Sequence, residues 1–404
     1  MTELGPRRAR RGNLVPGEDL PRQESRTGAE AGTARWERIA RAERSLRAAP
    51  SRPSGIGGWS RWLALPVGCL LLAGWAACCV VPAQRWSALA TVVVLLAAIA
   101  PLTAVAAVPL ATVAVRRRRW FCAGAAVLAG LFPWWFALGY AASSDAAVPA
   151  GGSVVHLMIV DARQGQANAA DVVAAVAGGR ADLLVVTELS GTLAHDLTAA
   201  GLDSLVQARS VQLPGQGLAP DVPEAGLGVW SRFPVDGVQP ISGTTWPALT
   251  ARVVADGAGF TLITGHVAPP MPDGGVRWAQ DLAALRATAA GVQAGGGQAV
   301  ASVAAGSVAG AASVSGPVVL LGNLNATPWH ADFRLFAAAG LQDAGDSLGQ
   351  GLRPTWPTWS PIPLLPLDHA LVGGGVRVEA VDTVIIGGTD HRALLVTLRI
   401  PRSS

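Results

Sequence analysis

The stretch PVVLLGNLNATPWHADFRLFAAAGLQDA, residues 317–344, holds the decisive pattern. Its first five residues form a continuous apolar run of strand length, as expected for a strand buried on both faces. The run stops at Gly322, and two amides, Asn323 and Asn325, stand where it ends. The same arrangement repeats in both directions. Upstream, VVHLMIV (Val154–Val160) runs into Asp161, and ADLLVVTEL (Ala181–Leu189) carries Glu188 beside its end. GLGVWSRFP (Gly226–Pro234) is a further strand, and FTLITGHV (Phe260–Val267) carries His266 beside its end. Downstream, DHALVG (Asp368–Gly373) opens on Asp368 and His369, while Asp390 and His391 precede ALLVTLRI (Ala393–Ile400). Helical spacing covers Ala169–Ala177 and Val276–Ala290, where Trp278, Leu282 and Leu285 share a face. Strands alternating with helices argue for one α/β sandwich domain over residues 153–404, with a low-complexity loop of Gly, Ala, Ser and Val at 291–316.

Carboxylates, amides and imidazoles set repeatedly where apolar strands reach a rim suit a metal-and-phosphate site. A hard divalent cation takes one or two carboxylates plus substrate oxygens. In-line attack on phosphorus also needs an activated water and a stabilised leaving oxygen. Taken singly, Glu188 reads equally as a surface charge at a strand end, and His369 more readily as a satisfied structural histidine. The tryptophans Trp230, Trp246, Trp329, Trp356 and Trp359 could stack on a base, although Trp in loops more often serves packing.

The rest of the chain has a different character. Residues 1–150 carry 18 Arg against 8 acidic residues, a net of +10, whereas residues 151–404 carry 13 Arg against 19, a net of −6. An acidic domain gains nothing from the counterion release that drives nonspecific duplex binding. All four cysteines lie before residue 123 and all six histidines after residue 155, so no disulfide staples the domain. Residues 1–58 are too poor in large apolar side chains to offset the entropy of ordering and read as a disordered, solvated basic tail. Within that tail, Thr33–Ala48 has helical spacing.

Residues 59–142 contain three apolar stretches, about 62–81, 87–115 and 120–142, each near the roughly 20 residues that cross a bilayer. The second is interrupted by Pro101 and Pro109. Trp59, Trp62, Trp86, Trp120 and Tyr140 stand near the ends of these stretches, as interfacial aromatics do. The tail and Arg116–Arg119 are the basic segments. The positive-inside rule therefore predicts a multi-pass membrane protein with a cytoplasmic N-terminus and, after a linker at 143–152, an extracytoplasmic domain. No ionisable side chain interrupts the apolar stretches, so they read as an anchor and not as a transport pathway.

The order of a V-V-x-E strand end, G-x-x-N-A-T-P, D-H and finally D-H-R resembles the endonuclease/exonuclease/phosphatase superfamily, the deoxyribonuclease I-like fold. Residues 322–344 resemble its G-D-F-N-A-T-P segment and the helix beyond. LRPTWP and LPLDHALVGGGVRVEAVDTVIIGGTDHRALLVTL (residues 365–398) resemble its closing strands. The helices ahead of the domain resemble the family's membrane-anchored actinobacterial branch. The resemblance implies a four-layer α/β sandwich, with two mixed sheets flanked by helices, and hydrolysis of a phosphoester with Mg²⁺ or Mn²⁺. The substrate would be a lipid head group, an envelope phosphoester, a nucleotide or a nucleic acid; no protein partner is evident. By position, the resemblance implies that Asp161, Glu188 and Asp390 serve the metal. His266 would contact or protonate the phosphate, Asn325 would bind a phosphate oxygen, and His391, oriented by Asp368, would contact the scissile phosphate.

Two positions depart from the family pattern. Asp161 stands where the family has Asn, and Asn323 stands where it has the Asp that helps to activate water. An amide accepts no proton at neutral pH. Either the site has decayed, leaving a membrane-tethered binding module, or Asp161 supplies the carboxylate that Asn323 lacks. A third reading makes the helices the functional part, in a membrane-organising protein.

Overall fold

A computed structural model describes residues 36–42, 55–85, 89–142, 151–213, 226–271, 275–295 and 316–402. Most of the basic tail, Trp86, most of the 143–152 linker and most of the 291–316 loop (residues 296–315) lie outside the described residues. Of the expected Thr33–Ala48 helix, residues 36–42 are helical. The chain divides into Met1–Trp62 and Leu63–Ser404.

Among the described residues, twelve strands form two six-stranded sheets. One sheet has β1 (Ser153–Asp161), β2 (Leu183–Leu189), β3 (Ala208–Gln212), β4 (Gly226–Ser231), β11 (Arg377–Ile385) and β12 (Arg392–Ile400) in the order β11-β12-β1-β2-β4-β3. The other has β5 (Val235–Pro240), β6 (Ala248–Ala255), β7 (Ala258–His266), β8 (Val318–Asn323), β9 (Gln342–Asp343) and β10 (Asp368–Gly373) in the order β5-β6-β7-β8-β10-β9. Each sheet has a parallel pair at its centre, β1 with β2 and β7 with β8, flanked by antiparallel neighbours. A parallel pair needs a crossover. The Ala169–Gly178 helix lies between β1 and β2, and the Val276–Gln293 helix lies between β7 and β8.

The sheets pack face to face through Leu157, Ile159, Val185, Leu262, Val319 and Leu321. On the outer face of one sheet, Trp278, Leu282 and Leu285 of the Val276–Gln293 helix cover Ile263, Val318 and Leu320. On the outer face of the other, Val172 and Val176 with Leu193 and Leu197 of the Gly191–Ala199 helix cover Met158, Leu184 and Val186. These layers make the four-layer sandwich expected from the sequence. Strands covered on both faces explain the apolar runs of β1 (Leu157–Val160), β2 (Leu183–Val186) and β8 (Val318–Leu321).

The N-terminal helices differ from three straight spans. Trp120–Ala137 is long and apolar enough to cross a bilayer, while Trp62–Ala77, within the Gly55–Ala77 helix, is a shorter apolar helix. The 87–115 stretch is broken: the Ala90–Ala98 helix and the Ala100–Arg116 segment are bent by 65°. Pro101 sits at the start of the 3-10 turn between them. Proline lacks the N–H and its ring clashes with the preceding turn, so the bend falls where the sequence places it. Thr103–Arg116 then packs closely on Trp120–Leu131. Gly130 makes this possible, because a Cβ there would stand 2.5 Å from that of Ala107, and the Thr103 hydroxyl donates to the Gly130 carbonyl at 3.1 Å. Small residues let apolar helices approach in this way.

Candidate active site

The parallel pairs of both sheets end at the same rim. Asp161 of β1 lies in register with Thr187 of β2, and His266 of β7 with Asn323 of β8, which in turn faces Asp368 of β10. Gly322 permits this convergence: a Cβ there would sit 2.6 Å from the Gly265 carbonyl oxygen.

Across the sheet interface, the Asn323 amide donates to Asp161 Oδ2 at 2.9 Å, with both residues buried. Asn323 Oδ1 accepts from the backbone N–H of Asn325 at 2.9 Å, which fixes the amide with its NH2 toward Asp161. Asp161 accepts two more hydrogen bonds, from the Thr187 hydroxyl on Oδ2 and the Arg163 N–H on Oδ1, each at 2.9 Å. A carboxylate offers about four acceptor directions, so Oδ1 keeps one free. Burial alone would raise the Asp161 pKa, but His391, His266 and these donors hold it at about 2, so the group is ionised.

Glu188 lies at a bulge in the β2–β4 pairing with φ of +51°. Asn325 is also left-handed, at +45°. Non-glycine residues held there cost about 1–3 kcal/mol and gather at functional sites. Glu188 Oε2 accepts from the Gln164 N–H at 2.6 Å. Burial, then Asp161 and Asp390, raise its pKa to about 8.

His266 is buried against the ring of Trp246, 4.2 Å between centroids. Asn325 Nδ2 donates to the Val267 carbonyl and lies 3.1 Å from His266 Nε2. An amide nitrogen only donates, so Nε2 is the acceptor and Nδ1 carries the proton. Burial lowers the pKa to about 4, which keeps the ring neutral. Nδ1 has no hydrogen-bond partner within the protein and points to Glu188 Oε1 at 3.7 Å. His391 Nδ1 stands 2.8 Å from Asp368 Oδ2. Although burial opposes its charge, Asp368 and Asp161 raise the His391 pKa to about 10.

Carboxylate oxygens of Asp161 and Glu188 and a ring nitrogen of His266 all lie within 4.8 Å of one another. The two carboxylates suit a divalent cation, and the Nδ1–H of His266 suits an oxyanion beside it. Asp390 stands apart from this trio: its Oδ2 accepts from Trp356 Nε1 at 3.2 Å, and Oδ1 lies 3.8 Å from Arg163 Nε. His369 is structural, bonded to Asp343 at 2.6 Å and to the Ala326 and Pro366 carbonyls at 3.0 Å. Of the other tryptophans, Trp230 and Trp329 are buried in packing.

Sequence reading missed several groups. The left-handed pair Arg163 and Gln164, φ +45° and +57°, aims two successive N–H groups at the two carboxylates. Thr187 and Thr389 support Asp161 through its side chain and its carbonyl. Buried Asp281 accepts from Thr245 N–H and Ala268 N–H at 2.8 and 2.9 Å, and so holds the Trp246 and His266 loops together. Only the D-A-R-Q-G turn composition could have hinted at the first.

A cation bound at Glu188 must displace its proton below pH about 8. Calorimetry in buffers of differing ionisation enthalpy should therefore show close to one proton released per Mn²⁺ at pH 7. Affinity should fall up to tenfold per unit below pH 8, whereas pH-independent binding without proton release would remove Glu188 from the metal's ligands.

The family profile described as Endonuclease/Exonuclease/phosphatase family matches residues 159–391. No curated protein matches the sequence. Among solved structures, humanized D. rerio TDP2 is 15% identical, with 61% of this chain and 99% of that chain covered and a TM-score of 0.46. The human Nocturnin catalytic domain with bound sulfate is 17% identical, with 63% and 96% covered and a TM-score of 0.46. A mannosyl-6-phosphatase of Bacteroides thetaiotaomicron is 12% identical, with 60% and 99% covered and a TM-score of 0.42.

Proposed function

The chain belongs to the endonuclease/exonuclease/phosphatase family, and we propose that its domain is a membrane-anchored, divalent-metal-dependent phosphoesterase. The observation that carries this reading is the 2.9 Å hydrogen bond from Asn323 to Asp161. It joins the two positions that depart from the family pattern, so one carboxylate and one amide are both present, with their places exchanged.

Glu188, with the Asp161 charge beside it, would hold Mg²⁺ or Mn²⁺, which when bound supplies Lewis-acid polarisation of a phosphoryl oxygen. The remaining roles fall to side chains. His391, charged and oriented by Asp368, offers Nε2–H to a non-bridging oxygen, and the neutral His266 offers Nδ1–H to another. The free acceptor direction on Asp161 Oδ1 orients the attacking water. Asn325 holds the His266 tautomer through its amide, and Asp390 closes the rim through Trp356.

The full chain in detergent should hydrolyse bis-p-nitrophenyl phosphate or p-nitrophenyl phosphate, lose that activity to EDTA and regain it with Mg²⁺ or Mn²⁺. No hydrolysis of either compound at any metal concentration would favour a tethered binding module.

The anchor reading places the N-terminus and Arg116–Arg119 in the cytoplasm and the domain outside. Contacts with the domain support it. The segments that this topology leaves outside, Cys79–Ala83 and Phe136–Tyr140, touch the domain through Arg334, Asp332, Trp329 and Gly351, while Arg116–Arg118 are exposed. Protease added to intact cells should digest the domain; digestion only after permeabilisation would reverse the topology.

A further inference from the structure

β1 begins at Ser153 and reaches the site at Asp161, eight residues further on, so the chain joins the sandwich about 26 Å from the rim. A simple tether would pack near Ser153. The helices instead dock on the two segments that leave the site. Beyond His266, Gly275 lies against Ala90 and Val94. Beyond Asn325, His330 Nε2 stands 3.0 Å from the Val94 carbonyl, and Asp332 accepts from the Ala83 N–H at 2.9 Å. Trp329 packs with Cys79, Ala100 and Ala137, and the Arg334 guanidinium lies 3.8 Å from the Phe136 ring centroid.

Two surfaces beside this rim are apolar. The Ala90–Ala98 helix buries Ala90, Val93, Val94 and Ala97. Leu89, Val92 and Leu95 on its outer side are exposed by 51%, 52% and 43%. On the other wall, Trp359, Ile362 and Leu364 are exposed by 75%, 70% and 60%. Their loop is fixed to the site, since the Thr358 N–H donates to the Asp390 carbonyl at 2.8 Å and Trp356 Nε1 to its carboxylate. Three large apolar side chains on this loop and the apolar outer face of the helix are each surfaces that water disfavours.

We infer that this rim rests on the bilayer and that the site takes a phosphoester carried on a membrane lipid. Continuity identifies the occupant. The outer face of Ala90–Ala98 leads through the 65° bend into the Thr103–Arg116 helix and then into Trp120–Ala137, the helix suited to cross the membrane. An exposed Trp at the loop tip suits the head-group level. The net charge of −6 on residues 151–404 disfavours duplex nucleic acid as the alternative. This inference rests on the phosphoesterase reading.

The test uses the full chain in nanodiscs containing dioleoyl phosphatidylglycerol, phosphatidylinositol and cardiolipin, with bis-p-nitrophenyl phosphate as the soluble comparison. The wild type should cleave at least one lipid. Ile362→Ser with Leu364→Ser should lower lipid cleavage at least tenfold while leaving soluble-diester cleavage within twofold. Brominated phosphatidylcholine should quench wild-type fluorescence more than that of Trp359→Phe. A wild type that cleaves the soluble diester but none of the lipids overturns the inference, as does a double variant that loses both activities equally or neither. If neither substrate class is cleaved, the phosphoesterase reading itself fails. Equal quenching of wild type and Trp359→Phe separately removes the rim from the bilayer.

Discussion

Asp161→Asn is expected to lower phosphodiester hydrolysis by about 10²–10⁴-fold, the range for losing a group that acts on a proton in the transition state. Two effects combine. The substitution removes the ionised carboxylate at the rim whose Oδ1 has a free acceptor direction. It also sets two amides against each other. Asn323 is fixed with its NH2 toward residue 161 because its Oδ1 accepts from the Asn325 N–H. An amide at 161 can then turn oxygen toward Asn323 or toward the Arg163 N–H, but not both, leaving a buried donor unmatched at about 1–3 kcal/mol. The complementary single change, Asn323→Asp, sets two carboxylates at hydrogen-bond distance, where one must hold a proton. It should bring no more than a modest gain. A wild type that tolerates Asp161→Asn without loss would show that nothing depends on that carboxylate.

His391→Ala should also cost about 10²–10⁴-fold in kcat. Asp368→Asn supplies a sharper readout. Asp368 leads the charges that raise the His391 pKa to about 10, against the opposing effect of burial. Its Oδ2 also fixes which ring nitrogen faces the site, through the 2.8 Å contact with Nδ1. The raised pKa means that the imidazolium persists through neutral pH and is lost as pH rises through about 10. With metal kept saturating at every pH, wild-type activity should therefore lose its alkaline limb only near pH 10, and in Asp368→Asn that falling limb should move to lower pH. An unchanged limb, with only the amplitude reduced, would assign Asp368 to packing.

The sequence made part of this site legible. Asp161, Glu188, His266, Asn323, Asp368 and His391 could be found because each closes or opens an apolar strand, and the structure brings them to one rim. The pairing of Asp161 with Asn323 could not be read, since the residues are 162 positions apart and belong to different sheets. Nor could the N–H groups of Arg163 and Gln164, which act through left-handed backbone and not through residue type. Strands β3, β5, β6, β9 and β11 were missed for a different reason. β11 buries only Val381, and β5 contains Gly237 and ends in Pro240, so neither shows an apolar run or a clean alternation. The helices show the converse. Pro101 was visible as an interruption, but only packing against His330 and Gly275 reveals that the 87–115 stretch folds back onto the site.

Asp161 and Asn323 have exchanged the family's carboxylate and amide across one hydrogen bond. With Asn at 161 and Asp at 323, every partner is satisfied again with reversed polarity. The carboxylate accepts from the Asn325 N–H and from the new amide, whose oxygen takes the Arg163 N–H and whose remaining N–H faces the Thr187 hydroxyl. The direct measurement is the initial rate of this double variant on bis-p-nitrophenyl phosphate at saturating Mg²⁺, beside the wild type and both single variants. The expected result is an active wild type, a silent Asp161→Asn, and a double variant recovering much of the wild-type rate. An inactive wild type rescued by Asn323→Asp alone would contradict it and establish a decayed site.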